Sequence, residues 1–266
     1  MTADRFTQSL QDFFALEHIV PAGRGALGIY AILKAWGGSG SVALQASVCH
    51  DVIVAVLMSG RQPFFCDVDP ETGLTPATEW QRAAAAGAEA AIVIHLYGNF
   101  ADATTARAVF KGKLVINDAA QALGARSANL LAGTDGDVGI ISFGKTKHIE
   151  VGGAALLFRD ATLAKACRDV LLDTSPSRLT EIIDINARFR TRFNAARDQL
   201  VANGDHYGFA GLLEGYAPAL RIAWQPQWGE AISNALQNYP SRLAQRQVKA
   251  IHWHKAIEGT DLLPVG

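Results

Sequence analysis

Apolar and polar positions along the first 160 residues follow a pattern that is typical of alternating strands and helices. Short apolar runs of strand length lie at Val42–Leu44, Pro63–Cys66, Ala91–Ile94 and Leu114–Ile116. Segments with helical periodicity separate them, at residues 48–59, 77–86 and 102–110. Because apolar strands joined by helices are buried on both faces, the pattern predicts an α/β fold with a mostly parallel central sheet between helices.

Further elements are predicted on either side of this alternation. Residues 4–16 and 24–36 have helical patterns, and the second is apolar nearly all round, as in a buried helix. The stretch Phe13–Val20 is predicted to be helical and then irregular. Two strand candidates, Val138–Phe143 and Ala154–Phe158, follow each other with no clear helix between them.

Beyond Arg159 the strand signals fade. Residues 160–258 predict successive helices, which are broken near Pro176, Gly204, Pro226 and Pro240. We therefore predict a large α/β domain over residues 1–170 and a helical segment over residues 171–266.

Composition and charge argue against several classes of protein. The formal net charge of −1 leaves no basic footprint for nucleic acid, and no apolar stretch reaches the length of a membrane span. Asp4 and Arg5 interrupt any signal-peptide pattern after Met1. The three cysteines are an odd number without a CxxC pair, which argues against a disulfide framework and predicts no metal centre. These features predict a cytoplasmic protein.

Two polar motifs follow predicted strands. Residues 117–124, Asn-Asp-Ala-Ala-Gln-Ala-Leu-Gly, begin at the carboxyl end of the Leu114–Ile116 strand, and residues 142–147, Ser-Phe-Gly-Lys-Thr-Lys, end a later strand. In an open α/β sheet, ligands bind outside the carboxyl ends of the strands. We therefore expect Asp118 and Lys147 to face one crevice.

The order of these motifs, followed by a Gly-Gly pair, resembles the DegT-type sugar aminotransferases. This family is a branch of the fold-type I pyridoxal-phosphate (PLP) enzymes, in the aspartate-aminotransferase superfamily. The interval from Asp118 to Lys147 matches the family's aspartate-to-lysine interval. Residues 60–69 resemble its Gly-x-x-Pro-x-Phe-x-Asp-x-Asp segment, and residues 93–98 resemble its His-Leu-Tyr-Gly strand end. The resemblance covers roughly residues 20–170 and implies a PLP-transferase-like large domain.

The resemblance implies a role for each motif residue. Lys147 would form the Schiff base with PLP and later carry protons as a general acid/base. Asp118 would keep the pyridine nitrogen protonated, so that PLP works as an electron sink. Gln121 would contact the ring near its 3-hydroxyl, and Ser142 would hold the phosphate. Lys145 is the rival lysine, but it lies two residues early against the motif.

Residues 23–28 form a G-x-G-x-x-G motif with two interpretations. A dinucleotide fingerprint needs a strand directly before it and an acidic residue about twenty positions later, and the sequence predicts neither. The resemblance instead aligns the loop with the family's phosphate-binding Ser-Gly-Thr-x-Ala-Leu. Gly23, Arg24 and Gly25 would then contact the PLP phosphate at a helix N-terminus. Arg24 replaces the family's threonine and either contacts the phosphate or points to solvent.

The chain departs from the family pattern in three places. The aromatic residue that covers the cofactor ring is replaced by Cys49, and either Cys49 or His50 covers the ring, or His50 only caps the following helix. The family's Gly-x-Asn-Tyr-Arg loop has no clear match; residues 186–190 are nearest, and the arginines around them are typical of a solvated helix face. Residues 242–255 resemble the helix that leads into the family's small carboxyl-terminal domain. Since the sequence ends at Gly266, we expect that domain to be missing or truncated.

We therefore expect a PLP-dependent aminotransferase that moves an amino group from an amino acid, with glutamate as the expected donor, to a keto group on a nucleotide-linked sugar. The family implies a homodimer, with neither nucleic acid nor membrane as a partner. One alternative is a shortened PLP-binding homologue that acts as a structural or regulatory partner without turnover. Another is a nicotinamide-dependent oxidoreductase that uses residues 23–28. A sugar dehydratase of the same family is disfavoured, because it is expected to have histidine in place of Lys147.

Overall fold

A seven-stranded sheet forms the centre of the computed structural model, which describes residues 5–205 and 207–258. The strands are β1 (His18–Ala22), β2 (Ser41–Gln45), β3 (Pro63–Cys66), β4 (Ala88–Ile94), β5 (Leu114–Asp118), β6 (Arg126–Ser127), β7 (Leu130–Leu131), β8 (Val138–Ser142) and β9 (Ala154–Phe158). The short strands β6 and β7 pair only with each other. The other strands form the central sheet in the order β1-β9-β8-β5-β4-β2-β3.

The middle of the sheet is parallel. Strands β3, β2, β4, β5 and β8 pair in parallel, whereas β9 pairs antiparallel with both β8 and β1. The prediction of a mostly parallel α/β sheet is confirmed, and each predicted strand is present. Asp118 is the last residue of β5 and lies opposite Ile94 of β4 and Ile140 of β8. Asp118 therefore stands at the carboxyl edge of the sheet, as expected.

The prediction for Phe13–Val20 is wrong in its second half, where the structure has a strand instead of irregular chain. Helix α1 ends at Phe14, and β1 follows at one edge of the sheet. Proline and flanking polar residues are typical of a break, which hid this strand in the sequence. An edge strand tolerates Pro21 because one of its sides makes no ladder. Pairing with the distant strand β9 creates β1, and a local pattern does not report such pairing.

Helices cover both faces of the sheet. In the described part of the chain they are α1 (Arg5–Phe14), α2 (Gly25–Trp36), α3 (His50–Met58), α4 (Ala77–Ala85), α5 (Thr104–Val109), α6 (Ala161–Asp173), α7 (Leu179–Asn203), α8 (Pro226–Gln237) and α9 (Tyr239–Ile257). Successive strand residues point to opposite faces. Leu44 and Ile92 therefore join the apolar cluster around α2, whereas Ala43 and Ala91 face the cluster that includes Trp80 of α4.

The helical segment packs against the same sheet. Ile185, Tyr216 and Leu220 belong to the cluster around α2, and Ile232 and Tyr239 belong to the cluster on the opposite face. The predicted division at residue 170 stays a prediction, and α6 spans that position. Residues 259–266, where we expect the truncated carboxyl-terminal domain to start, lie outside the described residues.

The predicted helix breaks are confirmed, and each has a local cause. Gly204 ends α7 in the left-handed conformation, with φ of +73°, which a glycine adopts without strain. Pro226 and Pro240 lie in the first turns of α8 and α9, where a missing N–H leaves no helical hydrogen bond unmade. None of the described helices is long and apolar enough to cross a bilayer.

Candidate active site

A cavity of about 470 Å³ opens at the carboxyl ends of β5 and β8. The sheet supplies Asp118, Ile140 and Ser142 to its walls, and the first turn of α2 supplies Gly25. The remaining lining residues come from the loop after β5, the loop after β8, the start of α3, and α7. Parallel strands end at this edge of the sheet, and the cavity therefore occupies the position that ligands take in open α/β folds.

Asp118 presents a buried carboxyl group to this cavity. The residue is 5% exposed, and its Oδ1 accepts a hydrogen bond of 3.0 Å from the Ala120 N–H. Burial raises the pKa of Asp118, while the Ala120 N–H and the positive charge of Lys147 act in the opposite direction. Within the described residues this carboxyl group makes no direct ion pair. A buried carboxylate in this state favours a cationic partner in the cavity.

Behind Asp118, His95 fixes the end of the sheet. Its Nδ1 accepts a hydrogen bond of 2.9 Å from the Ala101 N–H, so Nε2 carries the hydrogen and donates to Asn117 Oδ1 at 2.8 Å. Burial lowers the pKa of His95, which keeps the ring neutral. The same Asn117 oxygen accepts the Gly133 N–H at 2.6 Å. Asn117, the residue before Asp118, is thereby held by hydrogen bonds from both His95 and Gly133.

The loop after β8 carries the two lysines of the second motif. Both line the cavity, but Lys147 is half-buried whereas Lys145 is exposed. Thr146 between them has a φ of +69°, in the left-handed region that a β-branched residue rarely adopts. Strain of this kind persists where the surrounding structure holds the chain in place, as it does at binding sites. The structure therefore brings Lys147 and Asp118 to one cavity.

Gln121 and Ser142 also line the cavity, each with a backbone contact that orients its side chain. Gln121 Oε1 accepts a hydrogen bond of 3.3 Å from the Tyr97 N–H, and Tyr97 itself has a φ of +56°. Ser142 Oγ lies 3.4 Å from the Gly144 N–H. Both side chains therefore lie in the cavity wall, and the cofactor contacts that the resemblance implies for them stay predictions.

The glycine loop divides between two surroundings. Gly25 opens α2 beside Ser142, since a β-carbon built on Gly25 would lie 4.0 Å from Ser142 Oγ. Gly23 lies behind the cavity wall, where it contacts the backbone of Ile222. The N-terminus of α2 offers free N–H groups and a partial positive charge to an anion. Of the two glycines, Gly25 lines the cavity, and the phosphate contacts expected of both stay predictions.

Arg24 lines the cavity but is neither free nor directed to solvent. Its Nη2 lies 2.6 Å from Asp51 Oδ2, and its Nη1 donates to the Ala219 carbonyl at 3.1 Å. Both atoms join the glycine loop to distant parts of the chain. The guanidinium is thus an ion-pair partner in the structure, an arrangement that neither interpretation of the sequence contained.

His50 lies in an aromatic cluster at the cavity wall. Its ring stacks on Phe189 at a centroid distance of 4.5 Å and meets Tyr216 edge-on at 5.1 Å. Burial lowers the pKa of His50, as does Arg24, against the opposite effect of Asp51. His50 is the first residue of α3, preceded by Cys49, and both line the cavity.

The sequence predicts no metal centre. Cys49, His50 and Asp51 bring three potential ligand atoms within 4.8 Å of one another. The Asp51 carboxylate, however, already pairs with the Arg24 guanidinium. A cation at this position would lie beside that fixed positive charge.

Sequence reasoning missed the contribution of α7. Asn186, Phe189, Arg190 and Phe193 line the cavity, together with Tyr216. Residues 186–190 match the family's Gly-x-Asn-Tyr-Arg loop only weakly, and the arginines near them were interpreted as a solvated helix face. The spacing of Phe189 and Phe193, four residues apart on one helical face, was the available signal.

The nicotinamide alternative conflicts with the sheet. The strand that it requires before residues 23–28 is present, but β1 is an edge strand that pairs antiparallel with β9. A dinucleotide fingerprint belongs to a βαβ unit of parallel strands and has an acidic residue at the end of the second strand. Here β2 ends at Gln45, which is not acidic.

Comparison with known proteins gives a family and a fold. The model of the DegT/DnrJ/EryC1/StrS aminotransferase family matches residues 1–188. A pleiotropic regulatory protein of Geobacillus stearothermophilus is 31% identical over 179 residues, which cover 65% of this chain and 48% of that protein. An L-glutamine:2-deoxy-scyllo-inosose aminotransferase of Streptomyces kanamyceticus is 30% identical over 174 residues, which cover 64% of this chain and 41% of that protein. The chain thus spans less than half the length of these two relatives.

Solved structures share the fold. The sugar aminotransferase CalS13 from Micromonospora echinospora has a TM-score of 0.69 at 19% identity, over 98% of this chain and 67% of that one. The putative sugar aminotransferase Spr1654 from Streptococcus pneumoniae, in its PMP form, has a TM-score of 0.74 at 14% identity, over 98% and 66%. Because the family model matches well over half of the chain, the chain belongs to the DegT/DnrJ/EryC1/StrS aminotransferase family, whose members use PLP.

Proposed function

We propose that this protein is a PLP-dependent aminotransferase in which Lys147 holds the cofactor covalently and Asp118 contacts the ring nitrogen. The observation that carries the proposal is that both side chains line one cavity at the carboxyl edge of the sheet. Family membership supports it, because PLP is the family's cofactor. Lys147 is preferred to Lys145 because it is the less exposed of the two, and amines become nucleophilic when they are desolvated.

The residues present fit this cofactor. The buried Asp118 carboxyl group, which has no direct ion-pair partner in the described chain, suits a protonated ring nitrogen. The N-terminus of α2 at Gly25 and the hydroxyl of Ser142 suit a phosphate. A volume of about 470 Å³ is within the range of small-molecule sites.

Bound PLP supplies an electron sink to the substrate's amine-bearing carbon. The protein residues then have separate tasks. Asp118 keeps the ring nitrogen protonated, and the His95–Asn117 hydrogen bond holds the strand end that carries this carboxylate. Lys147 Nζ moves the proton at the substrate carbon as general base and acid. Gln121 would contact the ring near its 3-hydroxyl.

For the substrates, we propose glutamate as the amine donor and a keto group on a nucleotide-linked sugar as the acceptor. Relatives named for related chemistry support this class: the inosose aminotransferase uses L-glutamine by name, and DesI was solved with its TDP-sugar product. The rim formed by Phe189, Arg190 and Phe193 combines apolar rings with a cation, which suits a charged, partly planar ligand. We also propose a cytoplasmic homodimer, as the family resemblance implies.

A second candidate is PLP binding without turnover. One observation favours it: the Geobacillus relative, of which the matched residues cover 48%, is named as a regulatory protein. The two candidates share the cofactor site and differ in their response to an added amino donor. One experiment therefore addresses both.

The test is to saturate the protein with PLP, reduce it with borohydride and locate the modified lysine by peptide mass spectrometry. We expect the label on Lys147, with Lys145→Ala as the matched control that keeps it and Lys147→Ala as the variant that loses it. A label on Lys145, or none on the wild-type protein, would contradict the proposed site. Adding glutamate, or glutamine in a parallel sample, before reduction should abolish the label in a working aminotransferase and leave it in a silent binder.

A further inference from the structure

Tyr239 joins the two loops that carry the proposed chemistry. It is the first residue of α9 and is 1% exposed. Its hydroxyl lies 2.6 Å from the carbonyl oxygen of Leu123 and 2.6 Å from Nδ1 of His148. Leu123 belongs to the loop that follows Asp118, the last residue of β5, and His148 directly follows Lys147 in the chain. One buried hydroxyl group therefore contacts both of the loops whose other residues line the cavity.

The hydrogen positions follow from counting donors. Burial raises the pKa of Tyr239 to about 12, so the hydroxyl keeps its hydrogen at neutral pH. A carbonyl oxygen only accepts, so the hydroxyl donates its one hydrogen to Leu123. The short contact to His148 then requires Nδ1–H to donate to the hydroxyl oxygen. His148 is thereby fixed in the form that carries a hydrogen on Nδ1.

The chain between Ser142 and His148 needs such an anchor. Thr146 is held at a φ of +69°, a conformation that costs energy for a β-branched residue. His148 directly follows Lys147, and its side chain makes a hydrogen bond to Tyr239 of α9. Released from that contact, the loop can relax the strained residue and move Lys147.

We infer that Tyr239 and His148 are positioning residues that hold Lys147 opposite Asp118 through the chain Leu123 carbonyl, Tyr239 hydroxyl, His148 ring. This inference rests on the proposed role of Lys147. It also gives the carboxyl-terminal helices a part in the site, because Tyr239 packs at the junction of α8 and α9. Gly124, whose α-carbon faces the Tyr239 ring, completes the contact: a β-carbon there would lie 3.1 Å from Tyr239 Cε1.

The charge of His148 agrees with this role. Burial lowers its pKa, and the positive charges of Arg246 and Lys147 act in the same direction, while the Gln121 carbonyl acts in the opposite one. A neutral ring adds no positive charge next to Lys147.

The first test needs no cofactor. Nitrogen NMR of the apoprotein should show His148 with its hydrogen on Nδ1, and in Tyr239→Phe a substantial shift of the population to Nε2–H. The phenylalanine keeps the ring packing and removes only the hydroxyl. An unchanged nitrogen pattern in Tyr239→Phe would overturn the hydrogen-bonded chain.

The second test measures the affinity of the protein for PLP. Tyr239→Phe should raise the PLP concentration at half-saturation by about five- to tenfold, the effect of losing one buried hydrogen bond. Ser233→Ala is the matched control, because its buried hydroxyl donates a hydrogen bond to the Gly229 carbonyl within its own helix, α8, at 2.9 Å. Equal losses in both variants would mean general destabilisation and would overturn the inference.

A third variant keeps the inference testable if Tyr239→Phe does not fold. His148→Asn should weaken PLP binding to a similar degree, and the double variant should lose little more than either single one, because both changes cut the same chain. Fully additive losses would overturn the link. If borohydride labels no lysine in the wild type, the proposed function fails, whereas the NMR result still decides the hydrogen-bonded chain.

Discussion

Gly23 and Ile222 lie in backbone contact, so close that a β-carbon on residue 23 would stand 1.7 Å from the Ile222 carbonyl oxygen. A real β-carbon does not approach an oxygen to this distance, and the atom it meets is backbone, which cannot swing aside. The glycine is therefore required for close approach and not for an unusual backbone angle. Through this contact, the segment after α7 supports the loop that opens α2.

We predict that Gly23→Ala destabilises the apoprotein by about 1–3 kcal/mol, since one of the two backbones must move. Gly25→Ala is the matched control: its β-carbon would lie 3.5 Å from Ile140 Cγ2, an ordinary contact, and should change the free energy of unfolding by less than about 1 kcal/mol. Denaturant unfolding of both variants measures this. A Gly25→Ala variant that is as unstable as Gly23→Ala would contradict the steric account.

The same pair separates stability from binding. Gly25 lines the side of the cavity where we propose that the phosphate binds. Gly25→Ala should therefore raise the PLP concentration at half-saturation several-fold although the fold is intact. The measurement is an absorbance titration with PLP. Unchanged affinity in Gly25→Ala would remove this helix terminus from the proposed phosphate site.

Local patterns sufficed for the parts of the fold whose cause is local. The parallel strands are apolar runs buried on both faces, and Gly204, Pro226 and Pro240 act on their own helix ends. The motifs that contain Asp118 and Lys147 stand at strand ends, and their order and interval resemble those of the family; the roles of the two residues stay predictions. These features are read from a few neighbouring residues.

Features that depend on distant partners were not predictable in this way. Strand β1 exists because β9 pairs with it. The Arg24 ion pair needs Asp51, which a sequence pattern does not connect to it. Tyr239 contacts His148 from 91 positions away. The arginines of α7 are evident in the sequence as a polar helix face. That Phe189 and Phe193 of the same helix line the cavity depends on the tertiary fold.

We predict that Asp118→Asn stabilises the apoprotein at neutral pH while it weakens PLP binding by roughly 10- to 100-fold, as expected for a lost charged hydrogen bond. The reason is that burial raises the pKa of Asp118, so the folded state resists its ionisation. The unfolded carboxyl group ionises at its ordinary pKa, and the native state is penalised once the pH exceeds that value.

The pH dependence of this effect has a definite sign. Below the ordinary pKa of aspartate the carboxyl group is neutral in both states and the penalty is absent; it grows as the pH rises from there to the raised pKa. The free energy of unfolding of the wild type, relative to Asp118→Asn, should therefore fall across this window. A wild type that gains stability relative to the variant would show that the neighbouring Ala120 N–H and Lys147 outweigh burial.

We predict that Thr146→Gly stabilises the apoprotein by about 0.5–1 kcal/mol, the difference between the strain of a left-handed threonine and the added flexibility of glycine. Ala15→Gly is the control, because Ala15 also has a positive φ, of 53°, and lies at the end of α1, away from the cavity residues. Both variants should be more stable by thermal unfolding. Only Thr146→Gly should weaken PLP half-saturation, by a few-fold. Loss of stability in Thr146→Gly would mean that the threonine side chain makes contacts worth more than its strain.

We predict that Asp51→Asn strengthens the binding of inorganic phosphate several-fold, because the Arg24 guanidinium, now held 2.6 Å from Asp51, is then free to meet an anion in the cavity. Adding Arg24→Met to Asp51→Asn should abolish that gain. The pair itself is partly buried, with side chains 32% and 14% exposed, so a double-mutant cycle on unfolding should give a coupling of about 1 kcal/mol. Calorimetric titration with phosphate measures the first effect. If Asp51→Asn leaves phosphate affinity unchanged while the coupling is present, Arg24 only braces the glycine loop against α3, and the phosphate contacts belong to Ser142 and the α2 terminus.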